Sequence, residues 1–135
     1  MPTDIDLRNL KLTDDPGQQN EVFLAAFNSG DGAVFDGLYR DDAISNLSGR
    51  TLTGPERTRV ITELLAQGPT LDATFRHAYV AGDTMLMVVD YDLEIPGSDH
   101  TTTRLRGTCT DVLRRGADGN WSMVIDRPVH AGLRA

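Results

Sequence analysis

At residue 70 the spacing of apolar side chains changes from a helical period of about 3.6 to a strand period of about 2. Everything the chain can fold into must accommodate that change. Before it, Asp15-Pro16 reads as an N-cap followed by proline at the first helical position. Val22, Phe23, Ala26 and Phe27 come next on one face, and Asn28-Ser29-Gly30 is the stop. Asp31 opens a second helix, with Val34, Phe35, Leu38 and Tyr39 on one face and Asp41-Asp42 at its end. Ala43 to Leu47 reads as a short strand turned by Ser48-Gly49. Thr53-Gly54-Pro55-Glu56 has the spacing of a capping box and starts a third helix carrying Val60, Ile61, Leu64 and Leu65. After Gly68-Pro69, strand 70–81 alternates Leu71, Ala73, Phe75, His77 and Tyr79 against Asp72, Thr74 and Arg76. Strands 84–95, 100–115 and 121–129 come after it, separated by Gly-, Pro- and Asp-rich turns. Helices first and strands second predict an α+β fold: a cone-shaped curved antiparallel sheet covered by three N-terminal helices, with a pocket between them. Residues 1–14 read as a loose N-terminal arm, and 15–131 as a single domain.

Charge narrows the partners. Twenty acids against thirteen bases leave a net charge of −7, which argues against nucleic acid and against an anionic membrane surface. Fully apolar runs such as Met85 to Val89 are far too short to span a bilayer. The first residues show no leader pattern, so a cytoplasmic location is the expectation. The single cysteine, Cys109, excludes an internal disulfide and a multi-cysteine zinc site, and there is no His-x-x-x-His pair. Neither a metal nor an organic cofactor is expected.

Four segments carry a family resemblance. They are Leu-Tyr-Arg-Asp-Asp-Ala at 38–43, Gly-Arg-Thr-Leu-Thr-Gly-Pro-Glu at 49–56, Gly-Thr-Cys-Thr-Asp-Val-Leu-Arg-Arg at 107–115 and Asp-Gly-Asn-Trp-Ser-Met-Val-Ile-Asp-Arg-Pro at 118–128. With the helix-then-strand order they resemble the nuclear-transport-factor-two-like superfamily. That superfamily includes ketosteroid isomerases, SnoaL-type polyketide cyclases, limonene-type epoxide hydrolases and scytalone dehydratase. The last two segments resemble a bacterial branch of small SnoaL-like proteins. The resemblance covers about residues 16–130 and implies a cone-shaped cavity.

The candidate catalytic residues are Asp111, Asp126, Asp92, Asp90 and His77. Asp111 stands among Leu105, Cys109 and Leu113, where desolvation would raise its pKa. The resemblance places it where ketosteroid isomerases carry a protonated aspartic acid. The alternative is a structural carboxylate held by Arg114, Arg115 or a neighbouring strand. Asp126 has the parity of Val124 and opposes Trp121, Met123 and Ile125, and it matches a catalytic Asp of limonene-type epoxide hydrolases. Its alternative is a solvent-facing residue or an ion pair with Arg127. Asp90 and Asp92, two residues apart, project to one strand face. Periodicity buries Met85, Met87, Val89, Tyr91 and Leu93, whereas the resemblance turns Leu86, Val88, Asp90 and Asp92 to the cavity. His77 shares the apolar side of its strand with Phe75 and Tyr79 and could act as a base or stay a core residue. The cavity is expected to be lined by Phe23, Phe27, Tyr39, Asn46, Leu86, Val88, Cys109 and Val124. The base position of ketosteroid isomerases corresponds to Asn46 or Leu47, neither of which accepts a proton at neutral pH.

These residues support two functions. One is a cofactor-independent acid–base enzyme on a small, largely apolar metabolite, of cyclase, isomerase, dehydratase or epoxide-hydrolase type, in which Asp92, Asp111 and Asp126 converge. The other is a non-catalytic ligand-binding or dimeric assembly protein. A homodimer through the outer sheet face is expected, built on Met85, Met87, Val89 and Tyr91.

Overall fold

Capping chemistry sets the helix starts. In the computed structural model, which describes residues 5–46 and 50–130, α1 runs Pro16–Asn28. The Asp15 side chain accepts from the Gly17 N–H, and Pro16 supplies the preset first turn. Asp31 caps α2 (Gly32–Asp36) through the N–H groups of Ala33 and Val34. The helix stops earlier than its apolar spacing suggested. The Met123 N–H binds the Leu38 carbonyl, so pairing with the sheet captures the chain, and Tyr39 opens strand β1 (Tyr39–Ser45). Strand β2 (Leu52–Thr53) leads into α3 (Gly54–Ala66). The expected capping box does not form: Thr53 makes no side-chain cap bond, and Glu56 pairs with Arg50 at 3.1 Å. At Gly32 an added Cβ would lie 2.6 Å from Thr62 Cα, so α2 can touch α3 only through glycine.

The remaining strands are β3 (Thr70–Ala81), β4 (Thr84–Pro96), β5 (Thr102–Arg115) and β6 (Trp121–His130). They form the antiparallel meander expected from the period change. Beyond it, β1 adds parallel to β6, giving the six-strand order β2-β1-β6-β5-β4-β3. The fold is thus α+β, with three N-terminal helices over a curved sheet. The turn expected at Ser48-Gly49, residues 1–4 of the expected arm and residue 131 lie outside the described residues. The end of that arm, at Leu12 and Asp14, is fastened to β6. Leu12 is buried, and its carbonyl accepts from the Trp121 N–H. The Trp121 indole N–H donates to Asp14 at 2.6 Å. No helix among the described residues is long and apolar enough to cross a membrane.

Two one-residue irregularities decide which side chains face the helices. In β3, Phe75 pairs with Val89 but His77 pairs with Val88, leaving Arg76 extra. In β6, Ile125 pairs with Val112 but Met123 pairs with Leu113, leaving Val124 extra. Each extra residue reverses the facing of the strand residues beyond it. The core forms on the inner face. Val22, Phe23, Ala26 and Phe27 of α1, Phe35 of α2, and Ile61 and Leu65 of α3 meet Met85, Met87, Val89, Leu113, Trp121 and Met123. Phe35 sits edge-on to Phe27 and Tyr39, at centroid distances of 5.3 and 5.4 Å.

One buried cation joins these layers. Arg57 on α3 is 3% exposed. Its Nε and Nη2 donate to Asp36 Oδ1 at 3.2 and 3.1 Å, and its Nη1 to the carbonyls of Arg40 and Ala43. Its guanidinium lies 5.1 Å from the centroid of the Tyr39 ring. Arg57→Ala would strand a carboxylate and two carbonyls, and is predicted to cost about 3–5 kcal/mol in urea denaturation. Arg57→Lys should recover only part of that loss, because an ammonium lacks the planar fork.

Candidate functional site

Between the helices and the inner sheet face lies a cavity of about 270 Å³. Of the side chains expected to line it, Phe23, Phe27, Tyr39, Asn46 and Cys109 do so. Leu86, Val88 and Val124 do not. Leu86 and Val88 alternate with the buried Met85, Met87 and Val89 and therefore face outward, and Val124 is the extra residue of the β6 bulge.

The polar end of the cavity is built from three neighbouring strands. Asp111 on β5 and Asp126 on β6 are directly opposite in register, and Asp126 also pairs with Ser45 on β1. Asp126 reaches the inner face because of the bulge, since simple alternation would have set it against Met123. Both carboxyl groups are buried, 7% and 6% exposed. The Tyr39 hydroxyl donates to Asp126 Oδ2 at 2.6 Å, and Ser45 Oγ lies 3.3 Å from the same oxygen. Cys109 Sγ sits between the pair, 2.9 Å from Asp111 Oδ1 and 3.1 Å from Asp126 Oδ1.

Burial raises the Asp111 pKa well above the usual carboxyl range, and the charge of Asp126 and a hydrogen bond to it add to that. Burial first, and the nearby carboxylates second, push the Tyr39 hydroxyl and the Cys109 thiol up as well. Tyr91, on the cavity wall, is pushed up to about 12 by burial and then by Cys109 and Asp126. Three of these groups thus keep their protons, and Asp111 joins them. Tyr39 and Ser45 donate to Asp126 and not to Asp111, and the single thiol proton of Cys109 serves one of the pair at a time. A thiol sulfur and two carboxylate oxygens within 4.8 Å of one another are also a donor set for a metal ion. Holding a cation there would require the thiol and Asp111 to release their protons.

Asp92, Asp90 and His77 do not join the site. On β4 the inward apolar residues Met85, Met87 and Val89 set the register, so Asp90 and Asp92 face outward. Asp90 accepts from Arg76 at 2.9 Å and Thr108 at 3.0 Å. Asp92 accepts from Arg104 and Arg106, and the Arg104 hydrogen bonds hold its carboxyl below the usual range. His77 is exposed on the outer face, turned there with Tyr79 by the extra residue Arg76. The acid cluster therefore has two members, not three. Of the structural partners expected for Asp111, Arg115 pairs with Asp83 and Asp14 instead, whereas the neighbouring strand β6 does face it with Asp126. Sequence reasoning does not single out Ser45, Tyr91 or Arg57 as parts of the site. The signal for Ser45 is a small polar residue in phase with Ala43 on a short strand.

Residues 21–124 match the SnoaL-like domain. The chain belongs to the SnoaL-like family. No curated protein matches its sequence. Solved structures show what the SnoaL-like chain is similar to in shape. A ketosteroid isomerase-like protein from Erwinia carotovora atroseptica has 17% identity and a TM-score of 0.72, over 83% of this chain and 90% of that one. A candidate dehydratase of the NTF2-like family from Streptomyces avermitilis has 20% identity and a TM-score of 0.71, over 87% and 94%. A candidate calcium/calmodulin-dependent protein kinase II association domain from Xanthomonas campestris has 14% identity and a TM-score of 0.71, over 92% and 96%. At such identities the likeness is one of fold, and this fold carries unlike functions.

The raised Asp111 pKa has a consequence for the stability of the SnoaL-like chain. Above the ordinary carboxyl range the unfolded chain releases this proton while the folded chain keeps it. Stability from this group is therefore full at low pH and is lost as pH rises toward the folded value. Asp111→Asn keeps a donor facing Asp126 and removes the titration. Calorimetry should show Asp111→Asn melting a few degrees above the parent near neutral pH, with the gap closing at about pH 3, where both states hold the proton.

Proposed function

We propose that this SnoaL-like chain is a cofactor-independent acid–base enzyme acting on a small, largely apolar molecule, in the isomerase, dehydratase, cyclase or epoxide-hydrolase manner. The observation that carries the reading is the buried pair Asp111 and Asp126, directly opposite each other at the polar end of an otherwise apolar cavity, where burial raises the Asp111 pKa. Asp126 takes a proton from carbon, or from a water, while Asp111 gives one to the substrate oxygen that gains charge. After transfer the proton has moved from one carboxyl to the other, so the pair keeps one negative charge throughout. Tyr39 and Ser45 hold Asp126 in place and take no proton. The rings of Phe23 and Phe27 keep water from the reacting atoms. A cytoplasmic location, and a ligand that is neither nucleic acid nor membrane, fit the acidic surface. The competing reading is a non-catalytic binder using the same cavity.

A panel of small carbonyl compounds and epoxides tests the reading. Incubated in heavy water with cyclic enones, β-hydroxyketones and epoxides, the protein should catalyse deuterium entry next to a carbonyl, or hydration, followed by mass spectrometry. Asp126→Asn should lower the rate by about 10²–10⁴ with the circular dichroism spectrum unchanged. No turnover anywhere in the set would favour the binder.

We also infer a homodimer through the outer sheet face, on residues other than those first expected. Met85, Met87 and Val89 are buried in the core and Tyr91 lines the cavity. The outer face instead carries an apolar row running straight across five strands. Tyr79 pairs with Leu86, Leu86 with Val112, Val112 with Ile125 and Ile125 with Ile44. Tyr79 is 63% exposed and Ile125 43%. A connected apolar row of this kind is a candidate interface. Light scattering at tens of micromolar should give a dimer for the parent and a monomer for Ile125→Glu, with little change in the fold.

A further inference from the structure

Elsewhere in the chain a buried charge has an opposite charge against it, as Arg57 has Asp36 at 3.1 Å. The cavity departs from that pattern. Two buried carboxyl groups face each other there, yet the groups that hydrogen-bond them are a phenol, a hydroxyl and a thiol: Tyr39, Ser45 and Cys109. Arg57 stacks on the Tyr39 ring, but its N–H groups are taken by Asp36 and two backbone carbonyls. Among the described residues that line the cavity, none is lysine, arginine or histidine. Neutral donors lower the cost of a buried charge but leave its field unopposed, and a counter-cation in low dielectric is strongly attracted. The walls suit such a cation. Phe23, Phe27, Phe35 and Tyr91 present aromatic rings, whose faces attract ammonium groups, and the volume admits a ligand of about one ring.

We infer that this cavity binds small apolar amines as ammonium ions, the N–H donors reaching the facing carboxyl groups of Asp126 and Asp111. Asp111 accepts from Cys109 but from neither Tyr39 nor Ser45, so it has acceptor capacity to give. On binding, Asp111 keeps its proton, and the ligand adds one positive charge to a pair that until then has none against it. Tyr39, Tyr91 and Cys109 face the pair from β1, β4 and β5, and all three stay neutral, so they do not oppose the cation. This goes beyond the acid–base reading, because it is a binding property and needs no turnover.

Isothermal titration of the full chain at neutral pH with benzylamine, benzyl alcohol and benzoate tests the inference. These three probes share one ring and differ in charge. Benzylamine should bind at least about tenfold more tightly than benzyl alcohol, and benzoate weakest. Asp126→Asn should abolish the amine preference and retain alcohol binding. If circular dichroism shows that variant unfolded, Asp126→Ser serves in its place, with the same loss of preference expected. Asp90→Asn on the outer face should leave amine binding unchanged, which separates the cavity from general attraction to an acidic surface. Equal or tighter binding of the alcohol overturns the inference, as does an equal loss in Asp90→Asn and Asp126→Asn. Deuterium exchange that persists without amine preference overturns this inference alone. Amine preference without any exchange supports it and overturns the enzymatic reading alone.

Discussion

The extra residue in β6 is the constraint on which the site rests. Trp121 and Met123 point inward because the core needs them. With regular alternation the next inward side chain would be Ile125, and Asp126 would face solvent. The bulge at Val124 leaves one residue without a partner and turns Asp126 inward, opposite Asp111. The same step turns Ile125 outward, where it joins the apolar row on the far face. One local irregularity thus supplies both the second carboxyl of the cavity and the centre of the candidate interface.

Once both carboxyl groups are inside, electrostatics sets their charge. Two carboxylates opposite each other in low dielectric cannot both stay charged, so one keeps its proton. Hydrogen bonds choose which. Tyr39 and Ser45 both serve Asp126, and that leaves Asp111 to hold the proton. Tyr39 can do this because Arg57 stacks over its ring and binds the carbonyls of Arg40 and Ala43, fixing the path of β1. A buried ion pair on the helical side therefore reaches the charge distribution of the cavity through a single aromatic ring.

The outer face obeys different rules. Two of its acids are half-buried and ion-paired: Asp90 with Arg76, and Asp92 with Arg104 and Arg106. Such cross-strand pairs contribute little stability each. They do keep most of an otherwise open sheet face polar, and they leave Tyr79, Leu86, Val112, Ile125 and Ile44 as its one continuous apolar row.

Much of this is legible in the residues. The period change at residue 70, the caps at Asp15 and Asp31 and the turn residues between strands specify three helices and a meander, because these are local signals read within a few residues. The presence of Asp111 on an apolar strand face is legible for the same reason: it alternates in phase with Cys109 and Leu113. Tertiary structure decided the features that local spacing cannot carry. Bulges at Arg76 and Val124 form only when a strand must match its neighbour, so the facings of His77 and Asp126 could not be read from alternation. Local spacing allows two registers for Asp90 and Asp92, and the core's demand for Met85, Met87 and Val89 selects one. Tyr39 left its expected helix because β6 offered the Leu38 carbonyl a partner. The chain determined which chemical groups it owns and roughly where its strands run, and the packing of sheet on helix determined which two carboxyl groups share a low-dielectric space, because only packing removes water from them.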